Sequence, residues 1–272
     1  MNNKPRFQNT MNKIKTIIRK EWAEVFKNRM VLFTVIFMPL FLSILPLIIL
    51  YAMGGSDSAN STAEIPEQFR QFCNKSMTGG QCMQYYIVSE FLIMFMLIPL
   101  FIPVNIAAYS VVGEKTNRSL EPLLATPITT GELLTGKNLA SVIPAIIATW
   151  IGFAIFATGS LIITGGGALA SALLDPMWLI AVFLAGPLMA VLSVNFSIMV
   201  SSRVNDPRVA EQLSAVVILP LLALFFGQIS GLFILNSTLI LIMCLVLVLI
   251  DILMVYLAIR LFQRETILTR WK

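Results

Sequence analysis

The residues from Gly131 to Asn138 carry the spacing of a phosphate-binding loop. Gly131 and Gly136 frame four residues and Lys137 follows, but Asn138 stands where a Ser or Thr would hold magnesium. Such a loop needs a strand before it and a soluble helix after it, whereas this one runs into a long apolar segment. Thr129 and Glu132 are better read as a capping box that starts that helix, so nucleotide binding is rejected here.

Just upstream, Ser119 to about Ala125 reads as a short helix with Pro122 in its first turn, where the missing N–H does no harm, and Thr126-Pro127 ending it. It presents Leu120, Leu123 and Leu124 beside Glu114, Lys115, Arg118 and Glu121, a pattern suited to insertion in a partner's groove. A linker resting on the bilayer is the competing reading. Elsewhere, chemistry-bearing residues are sparse. The chain has no His, which removes the commonest general base and metal ligand, and no metal site is expected. Asp251 is the only acid deep in an apolar segment, where it costs about 2.5–3.5 kcal/mol on insertion scales. It should therefore face protein or water, either as a hydrogen-bonded structural group or as a polar site in a transport path. Cys73 and Cys82 fall in one loop and are expected to form a disulfide in an oxidising exterior, while Cys244 lies in the last apolar segment.

The elements that must position these residues are membrane helices. The chain is 57% hydrophobic and 12% charged, with a mean hydropathy of +0.85, whereas soluble domains carry about 25% charged residues. At 272 residues it can build one membrane domain, and its loops are too short for a second folded one. Any soluble engine must be another polypeptide. The net charge of +5 follows membrane topology and gives no nucleic-acid face.

Residues 1–29 hold eight Lys/Arg. Met11, Ile14, Ile17, Ile18, Trp22, Val25 and Phe26 fall on about half the circumference of a helix, as for one lying in the headgroup plane. A basic transit peptide is less consistent with the long span that follows at once. Six spans are expected in residues 30–272: Val31 to Met53, Ile87 to Val112 with Pro99 and Pro103, Leu139 to Ile163, Met177 to Val200, about Val209 to Leu235, and Leu239 to Leu261. An external loop covers 54–86 and a cytoplasmic one 111–137. With the N-terminus inside, the inner segments hold seventeen Lys/Arg and the outer loops two, which places both termini in the cytoplasm of a multi-pass plasma-membrane protein. Pro220 and the run Gly227 to Gly231 make the fifth segment irregular. A shorter spanning helix followed by a re-entrant one from the outer face fits, as does one tilted span. The GxxxG spacing would alternatively mark close helix packing.

The run GEKTNRSLEPLLATPITTGELLTGK, leading directly into a span, resembles the coupling region of permease subunits of type-2 ATP-binding-cassette exporters. An amphipathic N-terminal helix and six spans extend the likeness along essentially the whole chain. The resemblance implies an all-α integral membrane protein with an N-terminal elbow helix and a cytoplasmic coupling helix. It implies no ATPase site or cofactor in this chain, with ATP and magnesium held by separate ATPase subunits, and a second permease, identical or a paralogue, as partner in the lipid bilayer. On that reading Glu114, Leu120, Glu121, Leu123, Leu124, Thr126 and Pro127 couple to the ATPase, with Gly136-Lys137 opening the third span. Lipids, amphiphilic drugs, peptides or an ion such as sodium are all compatible cargoes. An ion-coupled secondary transporter without an ATPase is the alternative, and it usually shows internal repeats that are not visible here. A membrane enzyme would need catalytic groups that the spans lack.

Overall fold

The computed structural model describes residues 4–54, 79–116, 128–164, 175–232 and 235–261. Among these the chain is helical, without a strand. The helices are α1 (Lys4–Val25), α2 (Arg29–Gly54), α3 (Gly79–Phe95), α4 (Leu97–Thr116) and α5 (Thr130–Thr164), followed by α6 (Pro176–Ile180), α7 (Gly186–Arg203), α8 (Pro207–Ser214), α9 (Leu219–Ile229) and α10 (Ser237–Leu261). Six segments among the described residues are long and apolar enough to cross a membrane, as expected. The two long loops are shorter than expected, because α3 begins at Gly79, α4 runs on to Thr116, and α5 begins at Thr130.

The second span is α3 and α4 joined at Met96. Pro99 offers no N–H to Phe95, and the ladder is broken near that lost bond, with Met96 N–H donating to both Leu92 O and Ile93 O. In the most apolar stretch of this span 83% of the residues are buried, against 22% in the corresponding stretches of α2 and α10, so it forms the centre of the bundle. Its main neighbour is α7. Ser193 Oγ donates to Leu100 O at 2.5 Å and Ser197 Oγ to Val104 O at 3.3 Å. Both pairs recur every four residues, so small hydroxyl side chains let the two backbones approach and satisfy each hydroxyl across the contact. On the first span, α2 packs against α5, and a Cβ on Gly159 would lie 2.5 Å from Leu47 Cδ1.

An aromatic group, with Trp178, Phe95 and Phe156 fully buried and Phe153 partly so, fills the far half of the bundle. Trp178 of α6 stacks on Phe153 and Phe156 of α5 at 5.7 and 5.5 Å, and Phe95 of α3 meets its edge at 6.0 Å. Asp175 positions that helix by accepting from Met177 N–H at 2.8 Å, with Pro176 in the first turn. A π-helical turn, Ala181–Ala185, then joins α6 to α7.

The expectation of a re-entrant helix after the fifth span is corrected. Helix α8 packs on α4 near Ala108 and Val112, while α9 packs on α3, so the segment Pro207–Ile229 travels the length of the second span. Pro220 is absorbed by a 3-10 turn, Ala215–Ile218, and stands in the first turn of α9. No further helix lies between α9 and α10 among the described residues. The second glycine of the pair, Gly231, is a helix stop. Gly231 has φ 71, its N–H donates to Gln228 O, and Leu232 N–H donates to Gly227 O, the two bonds that close a helix through a left-handed residue.

Candidate functional site

The region between α4 and α5 was expected to receive a partner, and its two roots converge on the N-terminal helix. Thr129 and Glu132 form the capping box: Thr129 N–H donates to Glu132 Oε2 at 2.9 Å and Glu132 N–H to Thr129 Oγ1 at 3.2 Å. Gly136 and Lys137 lie inside α5, so no phosphate-cradling loop exists there. The same two residues instead make the contact with α1. A Cβ on Gly136 would sit 2.7 Å from Ile17 Cγ2, so only glycine permits this approach of the two helices.

That approach brings a buried cluster of charges together. Lys137 Nζ lies 2.8 Å from Glu21 Oε1 and 2.9 Å from Glu114 Oε2, and all three side chains are 3% exposed. Ser110 of α4 donates to Glu21 Oε2 at 2.5 Å and accepts from Lys137 at 2.7 Å. Lys20 closes the cluster by donating to Glu114. Two cations therefore meet two anions, and none of the four stands buried without a counter-charge. Burial alone would raise the Glu21 carboxyl, but the charge and hydrogen bond of Lys137, with Ser110 and Lys20, hold it below the ordinary carboxylate range. Burial would lower Lys20, yet the hydrogen bond and charge of Glu114, with Glu21 and Glu24, raise it. Lys13 pairs with Glu132 at 3.4 Å, and Trp22 Nε1 donates to Ala140 O at 2.9 Å. At the other root, Lys115 donates to Ser202 O and Val204 O at the end of α7, where carbonyls lack helical partners.

The face that α1 buries differs from the expected stripe. Among its described side chains Ile17, Glu21 and Val25 are the buried ones, while Met11 is 41% exposed, so the helix docks on protein through a charge in its middle. Glu114 sits inside this cluster and offers no exposed carboxylate. Leu120, Glu121, Leu123, Leu124, Thr126, Pro127 and the rest of the expected docking helix lie outside the described residues. Sequence reading missed the joint role of Lys20, Glu21, Ser110 and Lys137. The available signal was Glu21 itself, four residues from both Ile17 and Val25 on an otherwise apolar stripe, where a charge requires a partner.

The other singled-out residues are placed apart. Asp251 lies on the inward stripe of α10 with Ile240, Cys244, Leu247 and Ala258. It is 7% exposed, and neither carboxylate oxygen has a hydrogen-bond partner among the described residues. Helix α10 packs chiefly on α7, away from the charged cluster. Cys82 is disulfide-bonded and Cys244 is a free buried thiol; Cys73 lies outside the described residues.

A family model described as an ABC-2 family transporter protein matches residues 15–260. The chain belongs to that family. The match begins halfway along α1 and takes in nearly all of α10, so the half of the N-terminal helix that carries Ile17, Lys20 and Glu21 and all six spans are part of one family domain. A search among curated proteins found no match. This ABC-2 protein is a multi-pass membrane permease subunit of an ABC transporter, and the family implies an ATP-binding-cassette ATPase as its partner. As a transport component of that family it belongs to a class generally without an ATPase site of its own.

Proposed function

We propose that this permease is the membrane half of an exporter driven by ATP hydrolysis in separate ATPase subunits. Movement of those subunits enters through the segment between α4 and α5 and is converted into alternating access. The observation that carries the reading is the common anchorage of that segment's two roots. Glu114 at the end of α4 and Lys137 near the start of α5 are paired with each other and with Glu21 and Lys20 of α1. A push on the intervening residues would therefore move α1, α4 and α5 as one unit, and α4 is the centre of the bundle. Glu114 acts here as an anchor, while Leu120, Leu123 and Leu124, with Glu121 and Thr126-Pro127, form the docking surface. The N- and C-termini are cytoplasmic, in keeping with the excess of Lys/Arg on that side. Two permeases, identical or paralogous, assemble with two ATPases that hold the ATP and magnesium in the plasma membrane. The external loop is closed by a disulfide between Cys73 and Cys82, and Asp251 is a polar group on the transport path.

Burial of a leucine is worth about 1.5–3 kcal/mol. Replacing Leu120 and Leu123 by Ala should weaken capture of the co-encoded ATPase by a factor on the order of 10² to 10⁴, while the solubilised permease keeps its thermal stability. Pull-down with wild-type and doubly substituted permease measures this. Undiminished capture by the double variant would remove the coupling assignment and favour a segment that rests on the bilayer.

A further inference from the structure

We infer that the α1–α2–α5 junction is a binding site for one anionic phospholipid, with an acyl chain in an apolar slot and the phosphate at a basic mouth. The slot has a volume of about 440 Å³ and is lined by Trp22 and Phe26 of α1, Pro39 and Leu40 of α2, and Ile147 and Ile151 of α5, among others. That size lies within the usual range of ligand sites. Its wall is almost wholly apolar, because Trp22 spends its one N–H on Ala140 O and presents the ring alone. Pro39 and Pro144, both inside their helices and both lining the slot, interrupt the backbone ladders there, and kinked helices leave room that straight ones would close.

Trp22 also lines a second, smaller recess, whose other residues are Lys15, Ile18 and Arg19. No acidic residue lines it. Lys15 and Arg19 are exposed, and neither takes part in the ion pairs that hold α1, which use Lys13 and Lys20. Two cations thus stand beside an apolar slot on a helix that leads at once into the first span, a placement at the boundary between headgroups and chains. Free phosphate would satisfy only the mouth, and a neutral lipid only the slot. A phospholipid with net negative charge satisfies both. Its occupancy also has a consequence, since α1 carries Glu21 and Lys20 and so holds both roots of the coupling segment.

Full-length permease in nanodiscs of equal phosphatidylglycerol and phosphatidylcholine, released for native mass spectrometry, tests the site. Wild-type chains should retain about one phosphatidylglycerol, enriched over phosphatidylcholine on the order of tenfold to thirtyfold, as for two cations near an anionic surface. Lys15→Gln with Arg19→Gln, both on the exposed face, should abolish the enrichment while a lipid is still retained. Ile147→Trp, which fills the slot, should remove the retained lipid of either headgroup. The proposal is overturned by enrichment that survives the double substitution, by lipid retention unchanged in Ile147→Trp, or by displacement of the lipid with inorganic phosphate. It is equally overturned if Ile147→Trp leaves lipid retention alone and separates two permeases, since a second copy would then occupy the slot.

Discussion

The two halves of this bundle are held by opposite physics. At the α1 end, Lys137, Glu21 and Glu114 are buried together with the partly exposed Lys20 beside them, and each buried charge depends on its counter-charge to be there at all. Roughly 24–28 Å further along the second span and α5, by helical rise, Trp178, Phe95, Phe153 and Phe156 fill the interior with rings and no charge. An apolar cluster tolerates small displacements through many weak contacts, whereas an ion network is satisfied in one arrangement and costly in any partial one. On the proposed function, the half that responds to the ATPase is the one whose contacts can be switched, and the other half is packed.

The largest break of this contrast is on the aromatic side. Trp178→Ala should destabilise the permease by about 3–5 kcal/mol through cavity formation. Thermal unfolding in nanodiscs should show one lowered transition, while spin labels on α1 and α5 keep their separation until that transition. Lys137→Ala leaves Glu21 and Glu114 buried with only Lys20 beside them, and should cost about 3 kcal/mol. Its signature differs: the label separation between α1 and α5 should lengthen while the main transition moves little. Joint replacement of Glu21 and Lys137 by Met should recover most of the loss, since apolar substitution of a whole buried pair is often close to neutral. If Lys137→Ala instead lowered the main transition and left the labels unmoved, the cluster would be part of the core and not a separate clamp.

Acid should sharpen the same contrast. The Glu21 carboxyl is held below its ordinary value of 4.5, so its contribution is present above that pH and is lost as pH falls through the depressed folded value. Hydrogen exchange in α1 should stay slow from neutral pH down to about the ordinary carboxylate range and rise only below it, with the aromatic half unaffected. Lys20, raised by its partners, contributes at every pH below the ordinary lysine value and loses that contribution only as pH climbs through its raised one. Neither group titrates near neutrality, so a transition in α1 exchange between pH 6 and 8 would contradict the assignment. The smallest effect belongs to the cap. Thr129→Ala should cost about 1 kcal/mol, read as faster exchange confined to the first turn of α5.

Six spans, the N-terminal helix and the start of α5 were legible in the sequence. Apolar length, charge bias and the spacing of Thr129 and Glu132 are local quantities, and membrane insertion and helix capping act on local quantities. The helix stop at Gly231 was harder to read, since GxxxG spacing serves both a left-handed terminus and a packing seam, and only φ separates them. The re-entrant expectation failed for a related reason: Pro220 breaks a helix interior but fits a first turn, and which one it occupies depends on where the 3-10 turn falls. Nothing local pairs Glu21 with Lys137, 116 residues away. The sequence alone determined that a charge at Glu21 interrupts an apolar stripe and that Gly136-Lys137 lies at the head of a span. Tertiary structure decided that these belong together, because a glycine removes the one Cβ that would keep α1 from α5, and that contact shields the charges from water and makes their pairing obligatory.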